Sequence, residues 1–268
     1  MTKRYRTDLS DREWNAIKDL MPKPKKMGRP RADLREVVNA IFYVVGGGIA
    51  WHLLPKDFPH FKTVYGYFLR WRDDATIERI HDRLVARVRR ADGRLPTPSA
   101  ASLDAQSVKT TDVGGEALGF DNFKKVKGRK RHILVDTLGL LLAVVVTSAT
   151  TQDKSGARLL FEKIAKRYHR LKKIWVDGAY DSEPLQKDLN RLRPRGRGIE
   201  IEMVKRSDDQ KGFAVLPKRW VVERTFGWLV KQRRLGKDYE RTTKSSEAMI
   251  RLAMTRLMLR RLAGIGYF

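Results

Sequence analysis

The chain begins with apolar residues at helical spacing. Trp14, Ile17, Leu20 and Met21 form one stripe, and Ser10 followed three residues later by Glu13 supplies a capping box before it. Pro22 and Pro24 end that helix. A basic linker follows, Lys23 to Arg31, containing Gly28-Arg29-Pro30-Arg31. A second helix is predicted over 33–45, with Leu34, Val37, Val38, Ile41 and Val45 inward and Gly46-Gly47-Gly48 as its stop. Trp51, Leu53, Leu54 and Pro55 read as a packed turn. A third helix over 63–71, with Thr63 as its cap, carries Val64, Tyr67, Phe68 and Trp71 on its apolar face, and a fourth runs over 77–88. Asp92-Gly93 and Pro96-Thr97-Pro98 mark a boundary, so residues 1–95 are expected to form an all-α domain.

Beyond that boundary the pattern changes. A strand begins at Ser102-Leu103-Asp104. Residues 131–136 and 140–147 flank Thr137-Leu138-Gly139 as a hairpin. A helix over 153–168, a short buried strand over 174–177, a helix over 182–192 with Pro184 in its first turn, and a strand over 199–204 follow. Residues 207–212 form a polar loop, and helices are expected over 216–235 and 245–262. Strands alternating with helices predict an α/β domain with a mixed sheet over 96–268.

Charge narrows the partner. The 268 residues include 57 Lys and Arg against 31 Asp and Glu, a formal charge of +26. A compact chain this basic repels itself and attracts polyanions such as DNA, RNA or an anionic membrane surface. The absence of cysteine excludes disulfides, thiolate metal sites and a cysteine nucleophile. The basic N-terminus lacks the apolar core of a signal peptide. The longest apolar run, Leu140 to Val146, is too short to span a bilayer. A cytoplasmic, nucleoid-associated location without a membrane role is expected.

Three carboxylates stand out. Asp104 interrupts a strand of small and apolar residues, where an unpaired charge is costly to bury. Asp177 ends Ile174-Trp175-Val176-Asp177, and the carboxyl ends of buried strands are where α/β sheets collect ligands. Glu223 lies on a helix face with Arg219, Gly227 and Lys231, and Gly227 there leaves room for a phosphate backbone. Taken singly, Asp104 and Asp177 read as structural ion-pair residues, and Glu223 as a partner of Arg219 one turn away. Together they suit phosphodiester chemistry, in which carboxylate oxygens hold one or two divalent cations at the scissile phosphate. Asp136 reads as a turn carboxylate and Asp153 as a helix cap.

Leu103-Asp104-Ala105-Gln106-Ser107-Val108-Lys109, Arg129 to Gly139, Val176-Asp177-Gly178-Ala179-Tyr180 and Arg219 to Leu229 resemble the corresponding segments of DDE transposases of bacterial insertion sequences, closest to insertion-sequence family five. The resemblance covers nearly the whole chain, including Trp51-His52-Leu53-Leu54-Pro55 in the helical region. It implies an RNase H-like catalytic domain preceded by a helix-turn-helix-like DNA-binding domain. It also implies Mg²⁺, with Mn²⁺ able to substitute, and Asp104, Asp177 and Glu223 as catalytic and metal-holding residues. The wider superfamily's Tyr, Arg, Glu, Lys signature is matched at Arg219 and Glu223; Leu216 stands at the Tyr position and Val230 at the Lys position, with Lys231 one residue late. The implied partners are the element's terminal repeats and target DNA, both double-stranded, engaged by a homodimer. Expected DNA contacts are Arg29, Arg31, Lys62, Arg70, Arg72, Lys109, Lys130, His132, Arg219, Lys231, Arg233, Arg234 and Lys237. Against these stand three plainer readings: Tyr67, Phe68 and Trp71 as core, the Arg29–Arg31 segment as a solvated linker, and His132 as an ordinary strand residue. A regulator that binds DNA without cutting it, a nuclease without strand transfer, and a basic packaging or ribosomal protein are the competing functions.

Overall fold

The computed structural model describes residues 4–23, 30–112, 115–178, 180, 182–192, 198–204 and 218–266. Arg29, the polar loop at 207–212 and the expected start of the long helix at 216–217 lie outside the described residues. The chain divides into two compact units. One combines Met1–Arg94 with Leu229–Lys237 and Lys244–Phe268; the other combines Leu95–Trp228 with Asp238–Thr243.

The first unit is helical. Its opening helix α1 (Asp11–Asn15) has the capping box in full: the Ser10 hydroxyl accepts from the Glu13 N–H and the Glu13 carboxylate accepts from the Ser10 N–H. It is shorter than the apolar stripe suggests, and a 3-10 turn, Lys18–Leu20, carries the rest. α2 (Leu34–Gly47) is capped by Asp33, whose carboxylate accepts from the Arg35 N–H at 2.8 Å. It ends at Gly48 with φ +72°, where a Cβ would press on Arg233. α3 (Phe61–Asp73) starts two residues before Thr63, and His60, not Thr63, is its cap. α4 is Thr76–Ala91. Val37, Ile41, Val64, Phe68, Trp71 and Leu84 are buried in the core, so Phe68 and Trp71 of α3 are packing residues, whereas Tyr67 is half-buried and Tyr65 is exposed.

The second unit is a mixed six-stranded sheet with helices. In chain order its elements are β1 (Ala100–Lys109), β2 (Gly119–Asp121), β3 (Val126–Asp136), β4 (Leu141–Ser148), α5 (Asp153–Ile164), β5 (Lys173–Val176), α6 (Ser182–Leu192) and β6 (Glu200–Met203), followed by α7 (Trp220–Val230). β3 pairs antiparallel with β1, β2 and β4; β5 pairs parallel with both β1 and β6. The final helix, α8 (Thr243–Leu262), contributes Lys244 onward to the first unit. Most of its residues are buried, including Met249, Ile250, Met254 and Met258, so it shows no clean apolar stripe.

Period-two alternation decides what each face of the sheet holds. Asp104 pairs with Ile133, Gln106 with Arg131 and Val108 with Arg129, so these side chains share one face. Ala105 pairs with His132 and Ser107 with Lys130, and these share the other. The basic stretch Arg129-Lys130-Arg131-His132 is thereby dealt alternately to opposite faces. The turn after β3 is closed by Asp136, fully buried, whose carboxylate accepts from the N–H groups of Leu138 and Leu140, both at 2.9 Å. Gly139 sits there at φ +79°, and a Cβ would meet Trp228 and Thr225 of α7.

Candidate active site

β1 supplies Asp104 from mid-strand, and β5 supplies Asp177 just past its end. Ser102 pairs with Trp175 in the parallel register; two residues further along, that register sets Asp104 beside Asp177 on the same face. α7 brings Glu223 from its first turn. The Ser102 hydroxyl donates to the Lys218 carbonyl at 2.7 Å, tying the approach to α7 against β1. One guanidinium nitrogen, Nη2 of Arg219, lies 3.8 Å from Asp104 Oδ2, 3.5 Å from Asp177 Oδ2 and 3.7 Å from Glu223 Oε1. The Arg219–Glu223 helix pair and the convergence of all three carboxylates are therefore parts of one arrangement.

The electrostatics are unbalanced. Burial raises the Asp104 carboxyl to about 6; the Ala105 N–H and Arg219 draw it down, while Asp177 adds to the rise. The Ala105 N–H donates to Asp104 Oδ1 at 2.7 Å. Three carboxylates gathered at one guanidinium suit a further cation. Among the described residues, no three His, Asp or Glu side chains close on a point tightly enough to hold an ion by themselves; here the carboxylates close on Arg219. The donor set is all hard oxygen, the chemistry that suits Mg²⁺ or Mn²⁺ and not a soft metal.

Tyr180 is a site residue that sequence reading did not single out. It is buried, its N–H donates to the Asp177 carbonyl at 3.1 Å, and among the described residues its hydroxyl has no hydrogen-bond partner. Burial, with the charges of Asp104, Asp153 and Asp177, pushes the phenol well above its ordinary range, so it is present as a donor. Its place directly after the Asp177-Gly178 turn was the available signal. Gly227 matches its expected setting: it is exposed, and a Cβ there meets nothing within 4 Å.

The expected DNA contacts divide sharply. Lys109, Lys231, Arg233, Lys237, Arg31, Lys62 and Arg70 are exposed. Lys130 and His132 are not placed with the three carboxylates. They lie buried on the opposite face, where Lys130 Nζ pairs with Asp153 at 3.0 Å and Asp121 at 3.5 Å and His132 Nε2 meets the Thr147 hydroxyl at 3.0 Å. Asp153 is accordingly an ion-pair residue, and Gln152 holds the cap position of α5 without a side-chain bond. Arg234 is buried and donates to the Ile49 carbonyl at 2.9 Å. Arg72 is half-buried and is engaged by Asp73 and Ser245. These four side chains are bound to protein partners and are not offered to a phosphate.

Arg129, fully buried, has a structural task. It pairs with Asp238 at 3.2 Å and donates to the carbonyls of Glu116, Glu240 and Arg241. It thus fastens the segment 238–241 to the sheet.

Comparison with known proteins is consistent with this layout. Residues 95–258 match the family model described as a transposase DDE domain, and residues 9–81 match that of a putative transposase of the IS4/5 family. A curated relative, a putative transposase for insertion sequence element IS402 from Burkholderia cepacia, is 35% identical over 132 residues. That stretch is 47% of this chain and 60% of the relative. Among the described residues, no helix is long and apolar enough to cross a membrane.

Proposed function

The chain belongs to the DDE transposases of IS4/IS5-type insertion sequences, and from that premise we propose that it cuts DNA at the ends of its element and joins the freed 3′-OH groups to target DNA. The convergence of Asp104, Asp177 and Glu223 on one point carries this reading. In it, the second unit acts as an RNase H-like catalytic domain and the residues before about 95 read the terminal repeats. The three carboxylates would hold Mg²⁺, which when bound supplies charge neutralisation and an activated water at the phosphodiester. Both cleavage and joining are in-line phosphoryl transfers, so the protein contributes position and charge and needs no covalent intermediate of its own.

Each residue then has a task. Asp104 and Asp177 fix two carboxylates on adjacent rigid strands. Glu223 presents a third from a helix whose neighbouring face, at Gly227, is open to a phosphate backbone. Arg219 holds the three against mutual repulsion. Exposed Lys109, Lys231, Arg233 and Lys237 are suited to phosphate contacts, which fix register without reading sequence. Joining two ends in concert calls for two copies of the chain on DNA.

The test is Mg²⁺-dependent cleavage of DNA carrying the sequences that flank the gene, with wild type, Asp104→Ala and Glu223→Ala. Defined cuts followed by strand joining are expected from wild type alone, with DNA binding kept in both variants. Cuts without joining point to a nuclease, and binding without cuts in all three proteins points to a regulator.

A further inference from the structure

Lys218, immediately before Arg219, stands in the left-handed backbone region at φ +76°. A lysine gains nothing from that conformation. Its Cβ crowds the neighbouring carbonyl, and a residue other than glycine stays there only where its surroundings fix it. The position gives the strain a consequence. The Val222 N–H donates to the Arg219 carbonyl at 3.0 Å, so helical bonding starts one residue after Lys218. The backbone at Lys218 therefore sets the direction in which α7 departs, and Arg219 and Glu223 both lie beyond it.

Three adjacent strands hold Lys218. Ser102 of β1 pairs with Trp175 of β5, and Trp175 pairs with Glu202 of β6. Their side chains thus form one row across the sheet and share a face. Each of them meets Lys218. Ser102 is buried, and its hydroxyl donates to the Lys218 carbonyl at 2.7 Å. Lys218 Nζ lies 5.2 Å from the centroid of the Trp175 ring and 3.5 Å from Glu202 Oε1. On an exposed side chain either of the last two contacts alone is weak. Here they act together on a residue whose carbonyl is already fixed. Two residues beyond Ser102 and Trp175 come Asp104 and Asp177. The row that holds Lys218 is therefore the neighbour, on the same face, of the row that presents the carboxylates.

We propose that Ser102, Trp175 and Glu202 form a seat for Lys218 that sets where Arg219 and Glu223 stand against Asp104 and Asp177. Ser102, Lys218 and Glu202 are then positioning residues for DNA cleavage, and none of them needs to touch DNA. This rests on the function proposed above. Freed from the seat, Lys218 relaxes to negative φ and the first turn of α7 swings with it. Glu223 then leaves the point that it shares with the two carboxylates of the sheet. A displacement of about 1 Å at a reacting group costs on the order of 100-fold in rate.

The test uses the full chain and element-end DNA. It reads DNA affinity, single-turnover cleavage with Mg²⁺ at saturating DNA, and a thermal melt that establishes folding at the assay temperature. Ser102→Ala and Lys218→Met are expected to bind DNA within about threefold of wild type, since affinity is spread over many phosphate contacts. At saturation they cut roughly 10- to 100-fold more slowly. Lys218→Arg keeps a cation over the Trp175 ring and restores the rate. Glu202→Gln separates seating from DNA contact. Removing this acid leaves the chain at least as attractive to DNA, so a Lys218 that served only as a phosphate contact would bind and cut no worse. The seat predicts undiminished binding with cutting slowed severalfold. Wild-type cutting by Ser102→Ala or by Glu202→Gln overturns the inference and leaves the proposed function standing. Wild type that cuts no element end removes both.

Discussion

The two faces of the central sheet both carry polar groups and use them in different ways. Behind β1 and β3, Lys130 is matched by Asp121 and Asp153, His132 by Thr147, and Ser107 by Asp121. There Lys130 and Asp121 are buried, and Lys130 is shared between two acids that it partly offsets. In front, three carboxylates share one arginine and remain partly open to solvent. A cancelled cluster stabilises or specifies the fold; an uncancelled one is costly to maintain and is kept for a ligand of opposite charge. The same four-residue stretch, Arg129 to His132, feeds both faces, so proximity in sequence says little about which side chains reach the reaction.

The contrast predicts a double dissociation. Asp104→Asn is expected to lower cleavage by about 10³-fold or more, the scale of losing one charge-stabilising group in phosphoryl transfer, without lowering the melting temperature. Lys130→Met is expected to cost about 3–5 kcal/mol of unfolding free energy, since it strands buried carboxylates, while the folded fraction still cuts. Denaturant melts and single-turnover cleavage on the same preparations check both. If Lys130→Met folds as well as wild type and cuts no DNA, the closed face belongs to the site after all.

Acid probes the closed face next. Burial lowers His132 to about 4, with Asp153 opposing and Lys130 adding to the shift. The unfolded chain takes up this proton first as pH falls. The neutral ring is therefore fully accommodated above about 6.5, and stability drains away between about 6.5 and 4, by on the order of 3 kcal/mol. His132→Gln is expected to flatten that part of the stability–pH curve; a curve of unchanged slope would refute the shift. A smaller effect is steric. A Cβ at Gly156 would run into the His132 ring, so Gly156→Ala is expected to cost about 1–3 kcal/mol. A thermal melt reads this directly, and no loss would mean that α5 is packed less closely on the sheet than described.

The elements that were legible in sequence are those whose periodicity is set by burial of apolar residues, such as α2, α4, β4 and β5. Those misjudged have another cause. β3 begins at Val126, five residues before the apolar alternation starts, because its first half buries Arg129 and Lys130 against acids outside the strand, Asp238, Asp121 and Asp153. β2 is three residues long and has no pattern to read. Of the site, Asp104, Asp177 and Glu223 stand out as carboxylates in apolar settings, and their meeting at Arg219 required the parallel pairing of β1 with β5. Tyr180 was hidden because a buried tyrosine just after a turn reads as core.

In the proposed function, Asp104, Asp177 and Glu223 act together to hold a divalent cation. The most direct measurement is an electron paramagnetic resonance titration of the full chain with Mn²⁺, comparing wild type with Asp104→Asn, Asp177→Asn and Glu223→Gln. Specific Mn²⁺ binding by wild type that is weakened at least about tenfold in every single variant, as expected when one of few oxygen ligands is lost, is the predicted result. Binding that is equal in all four proteins would contradict the account.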